Sequence, residues 1–446
     1  MDDDFVTRLK VALTGATDTS LVYLGNFEVE RDWAIGERSL PRVSTAVSEA
    51  VVNHMDEFAL LLAGADDHVV LKTAPDPDYL AYLKGLGLEL PTVHVASRTD
   101  AQRSVTEDAL GDPDLLAALS ELAGQGCRLV AHGVSTVEER LALETGLPLA
   151  APDSSTCKSV NSKVYSRAVA DLLGLRQPVG WGCATAEELA AAVSEARTLV
   201  AAGRRVGIKE AFGVSGKGIA VIDDERRLDR LHRMILRGAA DDRISFVVEE
   251  WVAKAADLNY QFTVGKDGAV RFDFVKEAIT DRNVHKGHRM PAVLPAGTLA
   301  QIREVAELLG GRLAADGYFG VVGVDAFVDP DGGLYPVVEI NARHNMSTYQ
   351  VPLQEKLVGP TQVALARYYP VSVNRPLPFG EVSRMLDGLM LARPGGTGLV
   401  VNNFATVNAG AGSGSFAGRL YGVVVADTTD ELAAIDDRIT ERLGKD

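Results

Sequence analysis

The sequence predicts an α/β protein that changes to α+β part-way along the chain, and three observations support this prediction. Residues 20–150 alternate short apolar strands with helical stretches, which is typical of a parallel sheet covered by helices. From about residue 152, short turns join successive strands, which indicates antiparallel sheet. Prolines between residues 374 and 378 mark a linker. We therefore expect domains at 1–151, 152–373 and 374–446, with a small lobe of the second at about 180–252.

The composition is that of an ordinary globular protein with an acidic balance. The chain has 446 residues, enough for about three domains, and 46% of them are hydrophobic. The net charge of -16 argues against nucleic acid or an anionic membrane as the main partner. The acidic first four residues lead no apolar core, and no apolar run approaches the roughly 18 residues of a membrane helix. The three cysteines form no CxxC spacing, so we expect a cytoplasmic protein.

The first region contains predicted strands at 21–24, 69–71, 93–95 and 128–130, with helices at 112–122 and 136–145. No G-x-G-x-x-G motif follows the first strand, so the sequence does not support dinucleotide binding there.

The later regions combine helices with strands joined by tight turns. Helices are predicted at 162–173, 185–203, 226–236 and 429–443, the second of them opened by a capping box at Thr185. Strands are predicted at 206–209, 219–222, 245–252, 260–264, 270–275, 321–328 and 420–425, and another begins at 334. Residues 280–290 show no strand pattern, and we expect a long loop of the kind that closes over a substrate.

The strand that begins at 334 runs into three polar residues at alternate positions. Glu339, Asn341 and Arg343 therefore point to the same side of the strand. Asp325 lies on the preceding strand across a tight turn, so a hairpin brings it near Glu339 and Asn341. Two carboxylates and an amide oxygen suit magnesium that holds phosphates. The alternative is a polar strand end in solvent, which explains one or two such residues more easily than four.

A glycine-rich loop at 211–218 lies between two predicted strands. Its glycines let backbone N–H groups approach an anion, and a hydroxyl and an ammonium group stand beside them. These residues are Gly213, Ser215, Gly216, Lys217 and Gly218. The loop is not a Walker A motif, and a flexible hairpin turn is an equally good interpretation of the loop alone. Lys209 favours the anion site, because a lysine on an apolar strand needs an anionic partner.

The strand that ends in Glu249, Glu250, Trp251 and Val252 offers backbone groups and a carboxylate to an adenine edge, with Asp257 placed to accept from ribose hydroxyls. A core strand that emerges into solvent explains this pattern as well. Lys163 opens a predicted helix, where a solvated lysine is the usual explanation. A cluster of cations in this acidic chain indicates contact with an anion, although a mobile solvated loop is the alternative. Its members are Lys276, Arg282, His285, Lys286, His288 and Arg289.

Taken in order, these segments resemble the ATP-grasp ligase superfamily over residues 155–370. The order is Lys163, Lys209, the glycines 213, 216 and 218, Glu249-Glu250-Trp251-Val252, Asp325, and Glu339-x-Asn341-x-Arg343. The flanking regions are similar to the pheganomycin-type peptide ligases, on overall texture and on Asn26-Phe27-Glu28 and Asn402-Asn403-Phe404-Ala405-Thr406. The resemblance implies a Rossmann-like pre-ATP-grasp domain, a two-lobed ATP-grasp fold and a small C-terminal α/β domain.

The resemblance also implies roles. ATP would contact Lys163, Lys209, Gly213, Ser215, Gly216, Gly218, Glu249, Glu250, Trp251, Val252, Asp257 and Lys276. Two magnesium ions, for which manganese can substitute, would be held by Asp325, Glu339 and Asn341. Arg343 and Arg282 would act in catalysis, and His285, His288 and Arg289 would contact the substrate. The spacing before Asp257 departs from the family's usual pattern.

The implied activity is an ADP-forming carboxylate–amine ligase that works through an acyl phosphate. The narrower resemblance implies that a small, nonproteinogenic amino-acid-like acid is joined to the N-terminus of a peptide in antibiotic biosynthesis. It also allows a homodimer. An ATP-grasp kinase, or another enzyme that activates carboxylates without ligation, is the alternative, and a non-enzymatic nucleotide-binding protein is a third.

Overall fold

The computed structural model describes residues 4–40, 46–213, 218–237, 243–281, 284–411 and 414–444, with side chains described except at 46–48, 281, 284 and 285. Its strands are β1 (Leu21–Leu24), β2 (His68–Leu71), β3 (Thr92–Val95), β4 (Arg128–Ala131), β5 (Gly180–Cys183), β6 (Val206–Glu210), β7 (Ile219–Ile222), β8 (Phe246–Glu250), β9 (Ala256–Val264), β10 (Val270–Asp281), β11 (Val284–Met290), β12 (Gly320–Val328), β13 (Leu334–Asn341), β14 (Val363–Val373), β15 (Gly398–Asn403) and β16 (Phe416–Ala426).

The helices are α1 (Phe5–Thr14), α2 (Val29–Trp33), α3 (Ala46–Asn53), α4 (Pro77–Gly85), α5 (Val105–Leu110), α6 (Pro113–Gly124), α7 (Thr136–Thr145), α8 (Ser154–Val160), α9 (Lys163–Leu172), α10 (Ala186–Ala201), α11 (Glu225–Leu236), α12 (Ala296–Ala315), α13 (Val351–Leu357), α14 (Phe379–Met385) and α15 (Thr429–Leu443). Short 3₁₀ helices cover His54–Leu61, Thr348–Gln350 and Ala405–Val407.

The first sheet has the strand order β3-β2-β1-β4, and each neighbouring pair is parallel. The four predicted strands are confirmed to within a residue at each end. Helix α6 begins where Pro113 takes the first helical position and the Asp112 carboxylate accepts from the Leu115 N–H at 3.0 Å. Proline and an acidic cap at this end are the usual start of a helix, because both suit its free N–H groups.

The small lobe is an antiparallel sheet in the order β5-β8-β6-β7, covered by α10 and α11. The capping box predicted at Thr185 is confirmed: its hydroxyl accepts from the Glu188 N–H, and the Glu188 carboxylate accepts from the Thr185 N–H. The lobe has an apolar core of its own, which also includes Leu40 from the N-terminal part of the chain. The lobe is therefore held both by its own core and by the segment that carries Leu40.

The third sheet positions the candidate site, because its two faces differ in character. Its order is β13-β12-β9-β10-β11-β14-β16-β15. On β9, the alternating residues Leu258, Tyr260 and Phe262 are buried in the apolar core that includes α12. The residues between them, Asn259 and Gln261, point to the opposite face, since successive side chains of a strand alternate. That second face is polar, and the candidate site lies on it.

The predicted long loop at 280–290 is wrong, because β10 continues to Asp281 and β11 covers Val284–Met290 in antiparallel pairing with it. The missing strand signal has a physical cause. His288 is buried on the polar face of the sheet, where its ring lies 3.0 Å from the Ser347 hydroxyl, so β11 lacks the apolar alternation of a core strand.

The C-terminal part of the chain adds strands to this same sheet. β16 pairs with β14, and β15 pairs with β16, both antiparallel. The predicted helix at 429–443 is confirmed as α15, which packs on β14 and β16. Residues 374–446 thus share a sheet with the region before them. Within the described ranges, no helix combines the length and the apolar character needed to cross a membrane.

Candidate active site

A row of four polar residues crosses four neighbouring strands on the polar face. The strand register places Glu339 opposite Asp325, Asp325 opposite Asn259, and Asn259 opposite Lys276. Directly opposite residues of a sheet share a face and lie about 5 Å apart. The hairpin predicted from the sequence therefore has the expected register, and Gly323 stands opposite Asn341 in it.

The predicted metal donors are held by hydrogen bonds from their neighbours. The Asn259 amide donates to Asp325 Oδ1 at 3.0 Å, and Lys163 Nζ donates to Glu339 Oε1 at 2.6 Å. Burial raises the pKa of Asp325, an effect that the Asn259 bond and nearby cations partly offset. Burial likewise raises the pKa of Glu339, against the lowering effect of Lys163. A divalent cation would offset the cost of burying these two charges, because it stabilises both carboxylates in their ionised form.

This donor set fits magnesium that arrives with a nucleotide. Among the described residues, no group of three or more His, Cys, Asp and Glu side chains could hold a metal ion by itself. Magnesium is usually bound through one or two carboxylates together with substrate phosphates. Asp325 and Glu339 supply the carboxylates, and Asn341 Oδ1, which accepts from Arg343 Nη2 at 3.0 Å, supplies a neutral oxygen.

Lys163 connects the hairpin to the glycine-rich loop. It is the first residue of α9, whose cap Ser162 accepts from the Val164 N–H, and its own N–H donates to the Ala211 carbonyl. Its ammonium group donates to the Gly213 carbonyl at 3.1 Å as well as to Glu339. Helix α9 also covers the edge strand β13, where the Ile340 N–H donates to the Ser166 hydroxyl. One buried cation thus lies between the metal donors and the start of the loop.

A second pair of cations surrounds Glu249 on β8. Lys209 Nζ lies 2.5 Å from Glu249 Oε1, and Arg167 Nη1 donates to Glu249 Oε2 at 3.4 Å. These residues and Lys163 line a cavity of about 10 Å³, near the smallest volume that holds one water. The space between the cations is therefore filled by their own ion pairs, and a nucleotide would have to exchange partners with Glu249.

The residues after Glu249 are placed differently from one another. Glu250 points to the opposite face of β8 and pairs with Arg204, so the structure does not bring its carboxylate to the site. Trp251 and Val252 follow the strand and are half-buried, and the indole lies 5.8 Å from Lys209 Nζ. Asp257, two residues before Asn259 on β9, pairs with Lys254 at 2.7 Å.

Lys276 and His288 both lie on the polar face. Lys276 is fully buried, and its ammonium group donates to the Ser347 carbonyl and to Gln350 Oε1. Burial lowers the pKa of Lys276 to about 7. The Ser347 hydroxyl donates to Asn259 Oδ1 at 2.9 Å, which connects Lys276 and His288 to the residue that holds Asp325.

Arg289 is one predicted substrate residue that the structure does not bring to this face. It stands opposite Glu277 in the strand pair and bonds to it at 3.1 Å on the other side of the sheet. The reason is the two-residue period of a strand, which turns Arg289 away from the side that His288 occupies. Gly213 and Gly218 flank the glycine-rich loop. Ser215, Gly216, Lys217 and Arg282, together with the His285 side chain, lie outside the described residues and side chains.

Arg343 follows β13 and is paired with a residue that the sequence did not indicate. Its guanidinium forms an ion pair with Glu30 of α2, in which Nε donates to Glu30 Oε1 at 3.1 Å. Nη1 donates to the His344 carbonyl at 3.0 Å, and Nη2 donates to Asn341. Burial and the carboxylate of Glu30 act oppositely on the pKa of Arg343, and the carboxylate prevails and raises it.

Sequence reasoning missed Glu30, Arg167 and Asn259. Asn259 carried a usable signal, because Asn259, Gln261 and Thr263 alternate with apolar residues along β9. Glu30 carried none, since its partner lies 313 residues away along the chain.

Comparison with known protein families agrees with this fold. A family model described as the pre-ATP-grasp domain matches residues 55–147. Another, described as the ATP-binding domain of the carbamoyl-phosphate synthase L chain, matches residues 170–366. These matches show a pre-ATP-grasp domain at 55–147, followed by an ATP-grasp ATP-binding domain at 170–366.

Particular relatives extend this comparison. The chain is 29% identical over 318 residues to the [butirosin acyl-carrier protein]–L-glutamate ligase of Niallia circulans. The aligned region covers 70% of each chain. N5-carboxyaminoimidazole synthase from Aspergillus clavatus has the same fold, with a TM-score of 0.53 at 14% identity over 96% of this chain and 99% of that one. Biotin carboxylase from Campylobacter jejuni gives a TM-score of 0.53 at 13% identity, over 96% and 95% of the two chains.

Proposed function

We propose that this protein is an ATP-dependent carboxylate–amine ligase that releases ADP and phosphate through an acyl-phosphate intermediate. One observation carries the proposal: a single hairpin presents Asp325, Glu339 and Asn341 beside Lys163 at one end and Arg343 at the other. Oxygen donors for magnesium, a cation for phosphate and a fork for a developing oxyanion thus lie within a few ångströms.

The work of these residues is positioning and neutralisation of charge. Lys163 and Lys209 would bind the nucleotide phosphates, with Trp251, Val252 and Glu249 at the adenine and Asp257 at the ribose. Asp325, Glu339 and Asn341 would hold two magnesium ions, which would neutralise phosphate charge when bound. The acid's carboxylate attacks the γ-phosphorus, and the amine then displaces phosphate from the acyl carbon. Arg343 would stabilise the oxyanion that forms in the second step.

We propose one class of acid substrate and two candidate acceptors. The name of the butirosin relative specifies L-glutamate and an acyl-carrier protein. It supports an amino-acid substrate for this chain, in agreement with the amino-acid-like acid that the resemblance to the pheganomycin-type peptide ligases implies. The acceptor that we propose is the N-terminus of a peptide in a natural-product pathway. The same relative favours a second candidate, an acyl-carrier protein. We further propose the domain limits 1–151, 152–373 and 374–446, and that the C-terminal domain shapes the acceptor site.

The test is an amine-trapping assay with the purified full chain. The protein is incubated with MgATP, hydroxylamine and each of a panel of amino acids, while hydroxamate and ADP are measured. A ligase gives hydroxamate and ADP in equal amounts, and only when an acid is present. A kinase gives ADP and a stable phosphorylated product without hydroxylamine. Release of AMP, or no nucleotide turnover with any acid, would rule out the proposed function.

A further inference from the structure

The carboxylate of Glu30 makes the contacts that an anionic substrate would need. It is paired with the Arg343 guanidinium. Burial acts to raise the pKa of Glu30, but Arg343, the Lys163 ammonium group and the Gly213 N–H at the start of the glycine-rich loop prevail and lower it. Only 7% of Glu30 is exposed. These three partners come from the end of β13, from the loop of the small lobe and from α9. One internal carboxylate therefore occupies the point where the parts of the site meet.

The Arg343 fork does not depend on Glu30 for its position. Nη1 donates to the His344 carbonyl and Nη2 donates to Asn341 Oδ1, each at 3.0 Å, so two bonds from the large sheet hold the guanidinium plane. A planar fork of this kind binds a carboxylate through paired N–H groups. If Glu30 moved away, the fork would remain in place and would accept another carboxylate.

Resting on the proposed function, we infer that Glu30 occupies the subsite of the substrate's reacting carboxyl group and must leave it before the acid binds. Asp325 and Glu339 are assigned to magnesium, which leaves Glu30 as the carboxylate that competes for Arg343. Helix α2, which carries Glu30, is one turn of five residues whose N-cap Glu28 makes no side-chain capping bond. The acid therefore binds by displacing an internal carboxylate, and its affinity is lowered by that competition.

The test measures how Glu30 affects the KM of the acid. In the hydroxamate assay, with the amino acid that the wild type activates best, Glu30→Gln should lower the KM of that acid about tenfold, which corresponds to about 1.4 kcal/mol. The KM of ATP should stay within about twofold of the wild type. Glu37→Gln is the matched control. Glu37 lies on the same segment as Glu30 but pairs with Lys158 and Arg243 instead of Arg343, so both KM values should be unchanged.

A bracing role for the ion pair predicts a different result. In that case Glu30→Gln would lower kcat while the KM of the acid stayed constant or rose, and the inference would be overturned. If Glu30→Gln does not fold, Glu30→Asp keeps the charge but withdraws it from Arg343, and an unchanged KM there overturns the inference equally. If the wild type forms no hydroxamate with any acid, the proposed function itself is refuted. That result does not involve the Glu30 variants, so it is distinguishable from failure of the inference.

Discussion

Replacing Arg343 by glutamine tests the proposed mechanism at its most demanding point. The guanidinium donates to Glu30, Asn341 and His344, and its side chain is nine-tenths buried. A preorganised donor to a developing oxyanion contributes roughly 3 kcal/mol to the transition state. Since each 1.36 kcal/mol corresponds to a factor of ten in rate, Arg343→Gln should lose about two orders of magnitude in kcat.

The same substitution also affects folding, and this effect must be separated from catalysis. Removal of one partner of a buried ion pair typically destabilises a protein by about 3–5 kcal/mol, because the other charge stays buried without compensation. Here the stranded group would be Glu30. The double variant Glu30→Gln/Arg343→Gln removes both charges, so it should recover most of the lost free energy of unfolding and none of the lost turnover.

Urea unfolding and the hydroxamate assay together decide the matter. The wild type, both single variants and the double variant are compared at one pH and a saturating concentration of the acid. A double variant that is stable but still about a hundred times slower than the wild type supports the role of Arg343 in the reaction. Near-normal turnover of folded Arg343→Gln would refute the reasoning, and so would recovery of turnover in the double variant.

Further predictions concern the metal, a buried lysine and a helix cap. Glu339→Gln should abolish magnesium-dependent turnover in a magnesium titration. The control Glu304→Gln, on the exposed side of α12, should leave turnover unchanged. Magnesium-dependent turnover in Glu339→Gln would remove Glu339 from the metal site. Lys276, whose pKa is lowered to about 7 by burial, binds its proton less well in the folded than in the unfolded chain. Between pH 7 and pH 10, wild-type stability should therefore rise relative to Lys276→Met by up to about 1.4 kcal/mol per pH unit, and equal slopes in urea unfolding would contradict this. Thr185→Ala should cost about 1 kcal/mol of small-lobe stability by loss of the capping bond, with turnover retained, and unchanged unfolding would contradict the cap's contribution.

Local patterns predicted much of this fold because they express local physics. The capping box at Thr185 and the hairpin register of Asp325 with Glu339 follow from bonds and turns within a few residues. The parallel sheet of the first region follows from alternating strands and helices. Strand β11 was missed because its inward side chains are polar, so the two-residue period that marks a strand is absent from the sequence.

The candidate site was predictable only where its members share a short segment. Asp325, Glu339, Asn341 and Arg343 belong to one hairpin, and their spacing alone brings them together. The partners that set their charge come from distant segments, as with Lys163 at Glu339 and Glu30 at Arg343. Which cation meets which carboxylate depends on how the lobes pack, and no periodicity in the sequence records that packing.

These ion pairs have a consequence for how the site must work. Each cation proposed to bind phosphate or oxyanion is already neutralised by a carboxylate of this chain: Lys163 by Glu339, Lys209 by Glu249 and Arg343 by Glu30. An anionic nucleotide gains little by approaching cations that are already paired, so binding must exchange partners. With Glu339 holding magnesium, Lys163 would be free to pair with the phosphates. Nucleotide affinity should therefore depend steeply on magnesium in the wild type and much less in Glu339→Gln, and calorimetry of ADP binding with and without magnesium measures this difference. Equal magnesium dependence in the two proteins would show that the exchange does not occur.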